Sequence, residues 1–155
     1  MLIDVGAHYL DLFRFLNGDF ARIGYMGSSA VSQWPVEESA FVTIAFQNGA
    51  HGVMGLSFVV PHNGQMLEIY GTKGSLFLSK ELQVITEKGE EIFPVVFPDY
   101  YSGLLANFCE CVNGKAKPIA PGVDGLRNIQ AIEAAYLSGK EERFVVLSPR
   151  YKEVD

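Results

Sequence analysis

Residues 40–60 read AFVTIAFQNGAHGVMGLSFVV. Two runs rich in β-branched and aromatic side chains flank Asn48-Gly49, a dipeptide whose tolerance of positive φ makes it a strong hairpin signal. The spacing predicts two antiparallel strands joined by a tight turn. In the first run Val42, Ile44 and Phe46 share one side, and Phe41, Thr43 and Ala45 share the other. In the second, Met54, Leu56, Phe58 and Val60 alternate with Val53, Gly55, Ser57 and Val59. Neither side of the first run is distinctly polar, so the pair reads as a sheet covered on one side and weakly charged on the other.

The same device recurs on either side of this stretch. Residues 21–31, ARIGYMGSSAV, are strand-like. In MLEIYGTKGSLFL, residues 66–78, Gly71 and Gly74 bracket a turn, and Lys88-Gly89 does so in LQVITEKGEEIFPVVF, residues 82–97. Pro94 marks an edge or bulged position, because proline cannot donate to a sheet ladder. Helical periodicity appears from Gly6 to Asn17, with Tyr9, Leu12, Phe13 and Leu16 on one stripe and Gly18 as the stop, and again over Tyr101–Asn113 and Val123–Ser138. GKAKPIAPG, residues 114–122, interrupts the last two, and ERFVVL, residues 142–147, reads as a closing strand.

The order helix, strands, two helices, strand predicts an α+β domain over residues 1–155: an open, mostly antiparallel β-sheet with its helices packed on one face. The mild second face of such a sheet is a candidate subunit interface, and a homodimer or higher homo-oligomer is expected.

Composition narrows the function. The chain has 155 residues, 48% hydrophobic and 19% charged, and a formal net charge of -6. Without clusters of Lys and Arg, neither nucleic acid nor an anionic membrane surface is an expected partner. The longest apolar stretches, such as VMGLSFVV, fall well short of the roughly 18 residues of a spanning helix. Asp4 stands where a secretory signal would carry basic residues, so a cytoplasmic location is expected. Cys109 and Cys111 are two apart on a predicted helix, where they point to different sides and cannot bridge. They are expected to be small buried side chains, and no metal ligand set stands around them.

Residues 2–18, LIDVGAHYLDLFRFLNG, carry the polar triplet Asp4, His8 and Asp11. At about 100° per residue these three and Phe15 fall on one narrow stripe, displaced from the apolar one. A histidine between two acids on an amphipathic helix reads either as a boundary residue or as a site. His51 and His62 have no convergent partners and read as surface residues. Asp99-Tyr100-Tyr101 reads either as a helix cap followed by core aromatics or as aromatic side chains presented to a sugar.

The segment Asp4-x-x-x-His8 resembles the motif of the glucose-fructose oxidoreductase, inositol dehydrogenase and rhizopine catabolism family, Gfo/Idh/MocA. Residues 36–58 followed by 67–78 resemble that family's central strands, and residues 122–147 its closing helix and strand. The resemblance implies the C-terminal domain of a two-domain enzyme, with a dihydrodipicolinate reductase-like fold, whose N-terminal Rossmann domain binds NAD or NADP. This sequence contains no G-x-G-x-x-G and no Glu-Lys-Pro, so no cofactor-binding residue is assigned and no cofactor is expected on this chain alone. The resemblance further implies that His8 exchanges the hydroxyl proton of a sugar or polyol and that Asp4 is its partner carboxylate. Asp11, Tyr100 and Tyr101 are candidate substrate contacts.

Oxidising a secondary alcohol needs a base for the O–H proton as hydride leaves carbon, and imidazole titrates close to neutral pH. The chain is therefore expected to be the substrate-binding and oligomerisation domain of an NAD(P)-dependent oxidoreductase. Activity is expected only with a Rossmann domain supplied in cis or trans. The alternative is a non-catalytic assembly module that dimerises through its sheet.

Overall fold

The computed structural model describes residues 1–61, 66–96, 99 and 101–147. The fold is α+β, and the described residues form eight strands in two antiparallel four-stranded sheets. The chain divides into two compact units: Met1–Val60 with the chain from Ala120 onward, and Pro61–Ile119.

In the first unit, strands β1 (Phe20–Ser28), β2 (Ser39–Phe46), β3 (His51–Ser57) and β8 (Val145–Val146) lie in the order β3-β2-β1-β8. The hairpin expected at Asn48-Gly49 joins β2 to β3. The Gly49 N–H donates to the Phe46 carbonyl at 3.1 Å, Gly49 takes φ +90°, and Asn48 Oδ1 accepts the Ala50 N–H at 3.0 Å. Alternation follows the register: Ala40, Val42, Ile44 and Phe46 are buried, and Phe41 and Thr43 are exposed.

Two helices cover the buried face. Helix α1 (Ala7–Asn17) contributes Leu10, and α3 (Gly122–Glu141) contributes Ala131, Ile132, Ala134 and Ala135, which join Ile23 and Met54 in one core. Each large apolar side chain fully buried there contributes about 1.5–3 kcal/mol. Helix α1 ends at Gly18, φ +84°, as its sequence predicts. It starts one residue later than the periodicity indicates, because a π-helical turn over Leu2–Gly6 precedes it, with the Gly6 N–H bonded to the Met1 carbonyl at 3.2 Å. Helix α3 runs three residues past Ser138, through Gly139. A Cβ on Gly139 would lie 2.7 Å from Tyr25 Cδ1, so the missing side chain is what lets helix and strand approach.

The second unit holds the meander β4 (Leu67–Gly71), β5 (Gly74–Leu78), β6 (Glu81–Thr86) and β7 (Gly89–Pro94), and helix α2 (Ser102–Val112). Its turns fall where the glycines predict, with Gly71 opposite Gly74 and Thr86 opposite Gly89. Pro94 lies on the edge strand β7. The cysteines correct the sequence reading: both thiols are free, but Cys109 is exposed and Cys111 half-buried. The reason is that α2 buries none of its residues, whereas its apolar periodicity had implied a core-facing stripe. Among the described residues no helix is long and apolar enough to cross a membrane.

Candidate functional site

The π turn and α1 carry the predicted triplet. Asp4 lies in the widened turn, where each residue advances the helix by fewer degrees, so the α-helical stripe does not run straight from Asp4 to His8. Asp4 also sits in the first helical turn, where the peptide dipoles favour negative charge. Asp4, His8 and Asp11 are all exposed, whereas Leu2, Gly6 and Leu10 of the same segment are buried. His8 has no hydrogen-bond or ion-pair partner among the described residues, so its ring is available to an incoming group. Asp11 Oδ1 is 3.8 Å from Arg14 Nη1.

Tyr101 belongs to the second unit, is 70% exposed, and receives a local turn bond from its own N–H to Asp99 Oδ1 at 3.2 Å. The core-aromatic reading of Tyr101 is thereby corrected, because α2 offers no core for it to enter. Tyr100 and His62 lie outside the described residues. His51 is exposed at the start of β3, as expected.

Three groups that sequence reasoning did not single out hold the segment bearing His8. At its far end, Arg14 is 8% exposed and reaches Asp19 Oδ1 at 3.0 Å and Asp124 Oδ1 at 3.3 Å, joining α1 to the start of β1 and of α3. Beside His8, Asn128 Nδ2 donates to the Ala7 carbonyl at 2.9 Å, and Asn128 Oδ1 is buried without a partner among the described residues. At the near end, Glu37 Oε1 accepts the Leu2 N–H at 2.8 Å and the Tyr136 hydroxyl at 2.9 Å.

Around Glu37 the titrating groups shift together. Burial alone would raise its carboxyl, but hydrogen bonds from the Leu2 and Glu37 N–H groups, the Tyr136 hydroxyl and the Met1 amine outweigh it and hold the pKa low. Tyr136 is pushed up to about 12 by burial, then by its bond to Glu37 and that group's charge, with the Ile3 backbone opposing. Tyr25, whose ring packs edge-on to Tyr136 at 5.5 Å, is raised by burial first and by Glu37 second. These are stabilised, hard-to-titrate groups rather than proton carriers near neutral pH. A basic residue in the last turn of α1 was a visible hint of Arg14, but nothing local in VEES, residues 36–39, marks Glu37.

The chain offers no dinucleotide phosphate cradle at its one superficially suitable sequence. Gly71-Thr72-Lys73-Gly74 closes a β-hairpin, a strand follows it instead of a helix, and a Cβ on Gly74 would collide with the Ile85 carbonyl. Among the described residues no three His, Cys, Asp or Glu side chains gather to hold a metal.

Comparison with known proteins fits this arrangement. A D-apiose dehydrogenase of Paraburkholderia graminis is 25% identical over 93% of this chain and 44% of its own length. A 1,5-anhydro-D-fructose reductase of Ensifer adhaerens is 27% identical over 81% of this chain and 41% of its own. The chain thus spans less than half the length of these relatives. Among solved structures, an oxidoreductase from Agrobacterium radiobacter, crystallised with NAD+, L-tartaric acid and magnesium, superposes with TM-score 0.81 at 23% identity, covering 94% of this chain and 48% of the other. The aldose-aldose oxidoreductase of Caulobacter crescentus with glycerol gives TM-score 0.82 at 24% identity, covering 94% and 47%. At these identities the structures establish the fold. Residues 1–147 match the model described as the oxidoreductase family's C-terminal alpha/beta domain, and the chain belongs to that family, Gfo/Idh/MocA.

Proposed function

We propose that this chain is the substrate-binding and oligomerisation half of an NAD(P)-dependent oxidoreductase acting on a sugar, polyol or related secondary alcohol. The observation that carries the reading is the family match over residues 1–147, which takes in Asp4-x-x-x-His8, with the His8 ring exposed and unpartnered among the described residues and so open to a substrate. Asp4, one helical turn earlier and unbonded to the ring in this structure, is the carboxylate assigned to orient it when the alcohol binds. In this reading His8 takes the hydroxyl proton of the alcohol, or returns it in the reverse direction. Asp11 faces Arg14 and contributes charge near the site.

A bound nicotinamide supplies hydride chemistry, and in this reading its site lies on a Rossmann domain furnished in cis or in trans, as the sequence has no G-x-G-x-x-G. The names of the relatives support a sugar substrate, one being a D-apiose dehydrogenase and another a 1,5-anhydro-D-fructose reductase.

The test joins or co-expresses the chain with a relative's dinucleotide-binding domain and measures NAD(P)-dependent turnover of sugars and polyols. His8→Ala is expected to lower kcat by about 10²–10⁴-fold, the usual contribution of a positioned acid–base group. Turnover indifferent to His8 overturns the assignment. A second reading, a non-catalytic module assembling through its sheet, is favoured by the bare apolar outer face of the first sheet, where Met26 and Phe41 are exposed. In that case the chain assembles normally and His8→Ala changes nothing measurable.

A further inference from the structure

Two side chains from elements distant in sequence grip the two ends of the π turn that carries Asp4. Glu37, in the β1–β2 connection, accepts the Leu2 N–H at the first residue of the turn. Asn128, in α3, donates to the carbonyl of Ala7, the first residue after it. The Asp4 and Gly6 N–H groups also reach the Met1 carbonyl, at 3.3 Å and 3.2 Å. The external grips are better made and are built at a cost. Glu37 is held among Leu2, Tyr25 and Tyr136, and Asn128 keeps its Nδ2 on Ala7 while its own buried Oδ1 goes unpaired among the described residues.

We infer that Glu37 and Asn128 are positioning residues: they fix the wide turn, and with it the placement of the Asp4 carboxylate relative to the His8 ring. The inference rests on the proposed pairing of Asp4 with His8. Packing alone does not account for it. A π turn is an uncommon form of helix and is found frequently at functional sites. Tyr136 completes the grip by donating to the same Glu37 oxygen, which fixes the rotamer of the carboxylate.

The test uses the chain as it stands, labelled for NMR, with three variants. Glu37→Ala removes the acceptor at the front of the turn, Glu37→Gln keeps an amide oxygen there, and Asn128→Asp turns the donor on Ala7 into a repelling carboxylate. Hydrogen exchange is read at the Asp4 and Gly6 amides and, as a control, at Val42 and Ile44 in the core strand. Glu37→Ala and Asn128→Asp are expected to cost the turn about tenfold in protection and the control amides less than about twofold, with Glu37→Gln regaining most of the loss. The His8 ring resonances are expected to move with Glu37→Ala and to return with Glu37→Gln. Unchanged protection of the turn, or equal loss in turn and core, overturns the inference. A separate Asp4→Ala variant tests the underlying pairing. If the His8 ring resonances ignore it while the exchange pattern follows the grips, the Asp4–His8 reading fails and the anchoring of the turn stands.

Discussion

Arg14 presents its planar donor set to carboxylates from two directions. Its Nε and Nη2 both meet Asp19 Oδ1, at 3.1 Å and 3.0 Å, and Nη2 and Nη1 reach Asp124 Oδ1 and the Asp124 carbonyl, each at 3.3 Å. With the guanidinium 8% exposed, truncation leaves part-buried acids facing one another. Arg14→Met is expected to lower stability by about 2–3 kcal/mol in urea denaturation. Arg14→Lys is expected to recover less than half, because a single ammonium cannot span both acids; full recovery by lysine means that charge alone matters. Glu38 is a different kind of buried acid. Its carboxylate accepts the Val31 N–H at 2.7 Å and the Ser32 N–H at 2.6 Å, closing the loop ahead of β2. The Ser32 side chain first, and then these two N–H groups, hold its pKa below the usual value of 4.5 against the opposing effect of burial. A carboxyl depressed in the folded state stabilises above its unfolded pKa and loses that contribution as pH falls through the folded one. Glu38→Gln is therefore expected to reduce the urea midpoint at pH 7, with the gap to wild type closing below about pH 4.5. A constant gap from neutral to acid pH contradicts this. Neither Glu37 nor Glu38 was legible in VEES, where two adjacent acids look like a solvated loop; Glu37's partners at Leu2 and Tyr136 lie 35 and 99 residues away, and Glu38 is spent on the backbone N–H groups of Val31 and Ser32, which no side-chain pattern announces.

Elements were legible where their signals are local. The turns at Asn48-Gly49, Gly71–Gly74 and Lys88-Gly89 depend on glycine's access to unusual φ, a property that travels with the residue. Helix α3 was read correctly except for its end, because Gly139 looks like a stop and serves as a packing notch. The seam between α3 and β1 is built from small residues, Ala131, Ala135, Ser138 and Gly139, and the Ser138 hydroxyl accepts the Tyr25 N–H at 3.1 Å. Two effects of opposite sign meet at Gly139. Helix propensity favours Gly139→Ala by about 1 kcal/mol, whereas the added methyl would sit 2.7 Å from Tyr25 Cδ1 and 3.2 Å from Cε1. Tyr25 is held by Tyr136 and by the strand, so it cannot swing aside freely. The contact is expected to win, and Gly139→Ala should lower the melting temperature; a rise would show that the ring yields. The π turn before α1 was not legible, since Glu37 and Asn128, which grip its two ends, lie far from it in sequence.

At the scale of the whole molecule, the division of the strands into two sheets is what the residue patterns did not disclose. Each run has the alternation of a strand, but which runs share a ladder depends on where the chain goes after β3, which ends at Ser57 opposite Ser39, the first residue of β2. Strand β8 then returns from the far end of the chain to pair with β1, matching Ile23 with Val145. The first sheet is left with helices on one face and an outer face of Met26, Phe41 and Val53, exposed by 72%, 59% and 75%, with Gly24 and Gly55 leveling the ground between them. The register places Met26 beside Phe41 and Phe41 beside Gly55, so these form one continuous row across three strands. Apolar ground of this kind is seldom left to water, and covering Phe41 and Val53 would contribute about 1.5–3 kcal/mol each per copy. If a second copy covers it, light scattering should give a multiple of the 17.1 kDa chain mass. Phe41→Glu with Val53→Glu should then return the protein to a single chain without unfolding it, because both side chains point away from the core. Phe15→Glu serves as the control: that ring is 83% exposed on α1, away from the outer face, and its replacement should leave the mass unchanged. An assembly that survives both charges on the sheet places the contact elsewhere.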